Sequence, residues 1–139
     1  MLKTEPFPFN GETTTIYELS ALNRIEFLEY LAEQEKTIPA DGTDATLRNA
    51  AISAFSIREA SRVVAMSLQN ADRKGPSVDE VQQDVLETWS LDAIIAASFA
   101  IKVLSGIIKP QVVETTDTDD TAAETQSTEE TEPVTAEKP

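Results

Sequence analysis

The segment Leu91 to Ile108, LDAIIAASFAIKVLSGII, sets the first limit on the fold because it is apolar on nearly every side. Ile94, Ile95, Phe99, Ile101, Val103 and Leu104, with alanines between them, leave almost no polar face. A helix of that kind is either central in a core or covered by another chain. Asp92 and Lys102 interrupt the run, and a bilayer span needs about 20 predominantly apolar residues. A helix from Leu91 to about Ser105, capped by Ser90 and closed by Gly106, is therefore read as buried in protein rather than in lipid.

What could surround it is bounded by a change of composition after Pro110. Residues 114–139, ETTDTDDTAAETQSTEETEPVTAEKP, hold nine Asp or Glu, eight Thr and one Lys, with no aromatic residue, Leu or Ile. Such a segment cannot bury enough apolar surface to offset its ordering entropy, so it reads as a disordered acidic tail or linker. Nine acids less one lysine give the tail −8 of the chain's −14, which leaves −6 for residues 1–113. Those residues form the expected folded domain.

The domain begins with an Asn10-Gly11 pair between Lys3–Phe9 and Glu12–Ile16, a combination that suits the positive φ angles of a type I′ hairpin turn. Pro6 and Pro8 remove two ladder donors, so the first strand is expected at an edge or loosely paired. Thr15 and Glu18 stand at capping-box spacing, which predicts a helix from about Ile16 to Lys36. Leu19, Leu22, Ile25, Leu28 and Leu31 read as one continuous stripe along it, widened by Phe27 and Tyr30.

A loop at TIPADGT leads to a second helix, from Thr43 or Asp44 to about Asn70, whose many alanines permit close packing by neighbours. Arg58 and Arg62 make a basic spot on it, expected to pair with Glu59 or Glu33. After Gly75-Pro76, Ser77 and Glu80 give another capping box and a short helix from Val78 to about Thr88. Trp89 follows as a core or hinge plug. The fold class is mainly α: about four helices preceded by a short β-hairpin.

Composition also removes chemistry. With no Cys and no His, the chain has no zinc site of the usual kind, no Ser-His-Asp triad and no thiol nucleophile. The carboxylates fit no metal-binding loop, and four glycines include no phosphate-cradling motif. No cofactor, metal or catalytic residue is assigned, and no enzyme activity is expected. The acidic balance argues against binding nucleic acid directly. Met1 to Glu12 has no apolar signal core, and the lack of cysteine fits a reducing cytoplasm.

Four strings, in this order and at these intervals, carry more than helix periodicity: LKTEPFPFNGETTTIYELSALNRIEFLEYL, AISAFSIREASRVVAMSLQN, PSVDEVQQDVLETWSLDAI and VLSGI. The most specific parts are Asn10, Gly11, Thr13, Thr15, Glu18 to Leu22 and Arg24 to Glu26, followed by VAMSL at Val64 to Leu68. VLETW at Val85 to Trp89 and LSG at Leu104 to Gly106 support them. Over Leu2 to Ile108 the chain resembles the minor tail protein G family of lambda-like long-tailed bacteriophages.

The resemblance implies a tail assembly chaperone that acts in the host bacterial cytoplasm and is absent from the finished virion. Such proteins coat the tape measure protein, keep its apolar surface from aggregating and help deliver major tail subunits to the growing tube. It also implies a longer form made by ribosomal frameshifting, for which the acidic tail would be the linker.

Helix-in-groove binding by the apolar faces fits that role, and the negative charge would keep a loaded complex soluble. The residues nominated for partner binding are Leu22, Ile25, Leu28 and Leu31 first, then Phe99 and Ile101. Self-association through the last helix is a further expectation. An acidic DNA mimic or inhibitor, occupying the nucleic-acid site of another protein, is the alternative that the charge alone would allow.

Overall fold

A computed structural model describes residues 1–109. The division at residue 113 and the reading of residues 114–139 as disordered lie outside those described residues. Two strands and four helices follow in the order expected: β1 (Thr4–Phe9), β2 (Glu12–Tyr17), α1 (Ala21–Glu35), α2 (Ala45–Gln69), α3 (Val78–Thr88) and α4 (Leu91–Leu104).

The hairpin turns at Asn10 and Gly11, with φ of 52° and 84°, the left-handed values that a two-residue type I′ loop demands. Phe9 pairs with Glu12, and each step back along β1 pairs with one step forward along β2. Hydrogen-bonded and non-hydrogen-bonded pairs alternate from the turn, so Pro8 (opposite Thr13) and Pro6 (opposite Thr15) fall where the backbone nitrogen points away from the partner. The prolines therefore leave the pairing intact. Beyond the strands, Glu18 N–H still donates to Lys3 O at 2.9 Å, and Lys3 N–H donates to the Glu18 carboxylate at 2.7 Å.

That extra pairing moves the start of α1. The expected cap at Thr15 and Glu18 does not form, because both residues are held in or beside the ladder and Glu18 is spent on Lys3. Ser20 caps the helix instead: its hydroxyl accepts from Asn23 N–H at 3.0 Å, and the Asn23 carbonyl oxygen accepts from Ser20 N–H at 3.0 Å. The strand continues through Tyr17 because Ser67 on α2 completes it. The Ser67 hydroxyl accepts from Tyr17 N–H at 2.7 Å and donates to Tyr17 O at 2.9 Å, with Ser67 itself fully buried.

The central element is the second half of α2. Ala60, Ser61 and Val63 through Ser67 are buried in succession, more than one face of a helix can provide unless neighbours lie on several sides. β2, α1, α3 and α4 all pack on it. Small side chains at 60, 61, 65 and 67 allow those backbones to come close, while Val63, Val64 and Met66 fill the space between them. Ile16, Leu19, Phe27, Val85, Ile94 and Ile101 complete the core from the other elements.

α4 is thus flanked on one side only. Ala93, Ile94, Ala97, Ser98 and Ile101 are buried against α2 and the hairpin, while Leu91, Ile95 and Phe99 face outward. The helix ends in a Schellman turn: Gly106, at φ 77°, donates to Val103 O at 3.0 Å and Ile107 donates to Lys102 O at 2.8 Å. Trp89 sits half-buried in the two-residue link between α3 and α4, packed against the core.

Candidate partner-binding surfaces

α1 is held along one edge. Asn23 and Phe27 are buried, Tyr30 and Gln34 are half-buried, and these positions advance by four, three and four residues, the spacing of one helical face. Asn23 is the polar anchor: besides capping, its carbonyl oxygen accepts from the Asn70 side-chain amide at 2.9 Å. Leu19 N–H donates to the Ser105 hydroxyl at 2.9 Å, and the Arg24 guanidinium donates to Ser105 O, so the start of α1 is tied to the end of α4.

The expected stripe of α1 does not lie on that face. A constant step of three residues slips back by about 60° each time at ~100° per residue, so Leu22, Ile25, Leu28 and Leu31 walk around about half the helix. Leu22, Ile25 and Leu28 are 52, 55 and 66% exposed. Leu31 is half-buried and packs against the core. Ala21 and Ala32 are exposed on the outward face, Glu29 lies on it between Ile25 and Leu22, and Glu26 and Glu33 border it beyond Leu22, all exposed. Glu33 shares Lys36 at 3.3 Å, an exposed pair of little energetic weight.

The second nominated region divides. Phe99 is 44% exposed and belongs to a surface, whereas Ile101 is 0% exposed and belongs to the core. As a partner contact Ile101 is thereby corrected: two residues beyond Phe99, it lies on the opposite side of α4, against α2. Phe99 instead joins Leu91 and Ile95, one helical turn apart each, beside Ile52 and Ile57 of α2. Between them is a groove of about 540 Å³ whose floor includes Ala60 and Ser98. The Lys102–Glu59 ion pair, 2.5 Å between Nζ and Oε2, crosses it, with the two side chains 19 and 23% exposed.

That pair also alters the expected partners of the α2 arginines. Glu59 is taken by Lys102 from α4, and Arg62 turns to α3, donating to Asp79 at 2.5 Å and to the Gln82 carbonyl oxygen at 3.0 Å, with its guanidinium 4.4 Å from the centre of the Tyr30 ring. The two amide N–H groups of buried Gln82 are shared among Tyr30 Oη, Ser61 Oγ and Arg58 O, joining three helices. Sequence spacing within α2 could not show this, because every partner comes from another element. A second, smaller hollow of about 340 Å³ lies by Phe7, Phe9 and Trp89, where the two phenylalanine rings stack at 6.0 Å.

Among the described residues, no group of three or more Asp or Glu side chains is placed to hold a metal ion, and no helix is long and apolar enough to cross a membrane. What the domain does present is uncovered aliphatic surface on α1 and along the α2–α4 groove.

Comparison with known proteins gives these surfaces a context. A family model described as bacteriophage lambda tail assembly chaperone, protein G, matches residues 1–130, reaching into the acidic segment. The chain is 35% identical to tail assembly protein G of Escherichia phage N15, over 99% of this chain and 96% of that protein. It is 40% identical to tail assembly protein G of Escherichia phage lambda over 76% of this chain and 77% of the relative. Tail assembly protein GT of phage N15 is 34% identical over 99% of this chain, which spans 53% of that longer protein. No solved structure matches the chain.

Proposed function

The chain belongs to the tail assembly chaperone family of bacteriophage lambda protein G, and we propose that it binds the tape measure protein and keeps it soluble while the tail tube polymerises around it. The observation that carries this reading is the amount of large apolar surface left uncovered on α1 and beside the α2–α4 groove: Leu22, Ile25, Leu28, Ile95 and Phe99 are each at least 44% exposed. Contiguous exposed apolar surface on a soluble domain marks an interaction site. A long, repetitive helical partner would engage many copies, so weak individual contacts would sum to firm retention.

The role places the protein in the host bacterial cytoplasm during assembly and leaves it out of the virion. A net charge of −14 opposes aggregation of a complex carrying many copies. Because this chain aligns over nearly its whole length with the longer protein GT, a longer form that shares this domain and brings in the major tail protein is part of the same proposal.

Co-expression with the tape measure protein of the same phage tests it. The expected result is a soluble complex with several copies of this chain per partner. A partner that stays insoluble, with this chain unbound in the supernatant, would overturn the proposal.

A further inference from the structure

From the border of charge along the outward face of α1, we infer that this face is a docking strip for an amphipathic α-helix whose own apolar stripe is edged with Lys or Arg. The inference rests on the proposed chaperone reading for the identity of the natural cargo, but its chemistry comes from the strip. Ala21, Ile25, Leu28 and Ala32 lie within about 60° of one another around α1, with Leu22 at the edge of the face, and Leu22, Ile25 and Leu28 are more than half exposed. From residue 21 to residue 32 the strip is ~17 Å long, the length of about three helical turns. A helix laid on it extends the layer α1 already makes on α2, by the same side-chain interdigitation.

Charge selects the occupant. α1 has four glutamates and one arginine, and that arginine is turned to Ser105 O. Glu26, Glu29 and Glu33 follow one another by three and four residues, a row along the Leu22 side of the strip in which Glu29 lies between Ile25 and Leu22 and Glu33 already meets Lys36 at 3.3 Å. Lysines or arginines on the edge of an incoming helix would meet that row.

The chain's own residues 114–139 fail on both counts, with a charge of −8 and no Leu, Ile or aromatic side chain. A second copy fits poorly as well. Antiparallel pairing through the strip would set both glutamate rows along the same edge. Parallel pairing would set each row against Glu35 and the already engaged Arg24. An anionic bilayer would be repelled by the row.

The test uses the full-length chain and two synthetic helices of about 20 residues with one Leu/Ile stripe, one edged with lysines and the other with glutamates. The wild-type chain should bind the lysine-edged helix ~10-fold or more tightly than the other, a preference that narrows as salt is raised. The triple variant Glu26→Lys, Glu29→Lys, Glu33→Lys should reverse the order. The triple variant Leu22→Ser, Ile25→Ser, Leu28→Ser should weaken both by ~10-fold or more while leaving helix content and melting as in the wild type. The same variants are then co-expressed with the tape measure protein.

An unchanged preference after charge reversal overturns the inference, as does no binding of either helix by the wild type. Binding that survives the serine variant but is lost with Ile95→Ser, Phe99→Ser moves the site to the α2–α4 groove and overturns it too. A change in oligomeric state by light scattering, with helix binding intact, overturns it in favour of self-association. If the synthetic helices behave as expected and the wild type does not retain the tape measure protein, the docking strip stands and the chaperone reading fails.

Discussion

The second half of α2 and the outward face of α1 distribute side-chain size in opposite ways. Between residues 60 and 67, α2 buries two alanines and two serines among its valines and methionine, whereas α1 turns two leucines and an isoleucine to solvent. Four other elements pack on α2, and the run of buried residues from 60 to 67 makes that segment the centre. α1 meets the domain along one narrow edge and leaves its bulk outside. In this domain the core sits where small residues let backbones approach, and large aliphatic side chains of α1 are left exposed. Dispersion and burial reward close approach at many atoms at once, so four small residues in the right place outweigh three large ones on the wrong face.

Removing bulk at the centre should break that contrast most visibly. Ile101→Ala, at a fully buried position against α2, should destabilise the fold by ~2–5 kcal/mol in chemical denaturation. A loss below about 1 kcal/mol would mean the α2–α4 contact is looser than described. Adding bulk to the same centre is the next effect in size: Ala65→Leu, at 0% exposure, should cost ~1–3 kcal/mol by pushing neighbouring elements off α2.

Caps give a smaller difference that sharpens where α1 begins. Ser20→Ala should cost ~1 kcal/mol, since it removes the acceptor for Asn23 N–H, while Thr15→Ala should cost less because its hydroxyl caps nothing. Equal losses would return the cap to Thr15. Smallest of all should be Leu28→Gln, within ~0.5 kcal/mol of wild type in the same denaturation series, because Leu28 is 66% exposed.

The order and type of all six elements were legible, since each was announced by local chemistry: Asn10-Gly11 for the turn, Asp44, Ser77 and Ser90 for caps, and Gly106 for the last stop. The alanines of α2 likewise announced close packing. α1 was legible as a helix but not in its boundary or its orientation. Thr15-x-x-Glu18 has the spacing of a cap, and only the pairing of Lys3 with Glu18 and of Tyr17 with Ser67 moves the helix start to Ser20. A three-residue repeat of leucines looks like a stripe in one dimension and is a spiral in three. Phe99 and Ile101, two residues apart in an all-apolar helix, could not be told apart until α2 marked the inner side. The buried polar groups Asn23, Gln82 and Ser67 carried no signal as anchors, because their partners are 47, 52 and 50 residues away.

Pro6 and Pro8 also shape how the hairpin meets other chains. Both sit at outward-facing positions of β1, so the free edge of the hairpin lacks two of the N–H groups that an added strand would need. On the opposite edge, the outward N–H and C=O of Tyr17 are both consumed by the Ser67 hydroxyl. An added strand would therefore find fewer donors on either edge of this hairpin than on an ordinary two-stranded sheet, so the sheet resists edge-to-edge pairing while the apolar helix faces stay open.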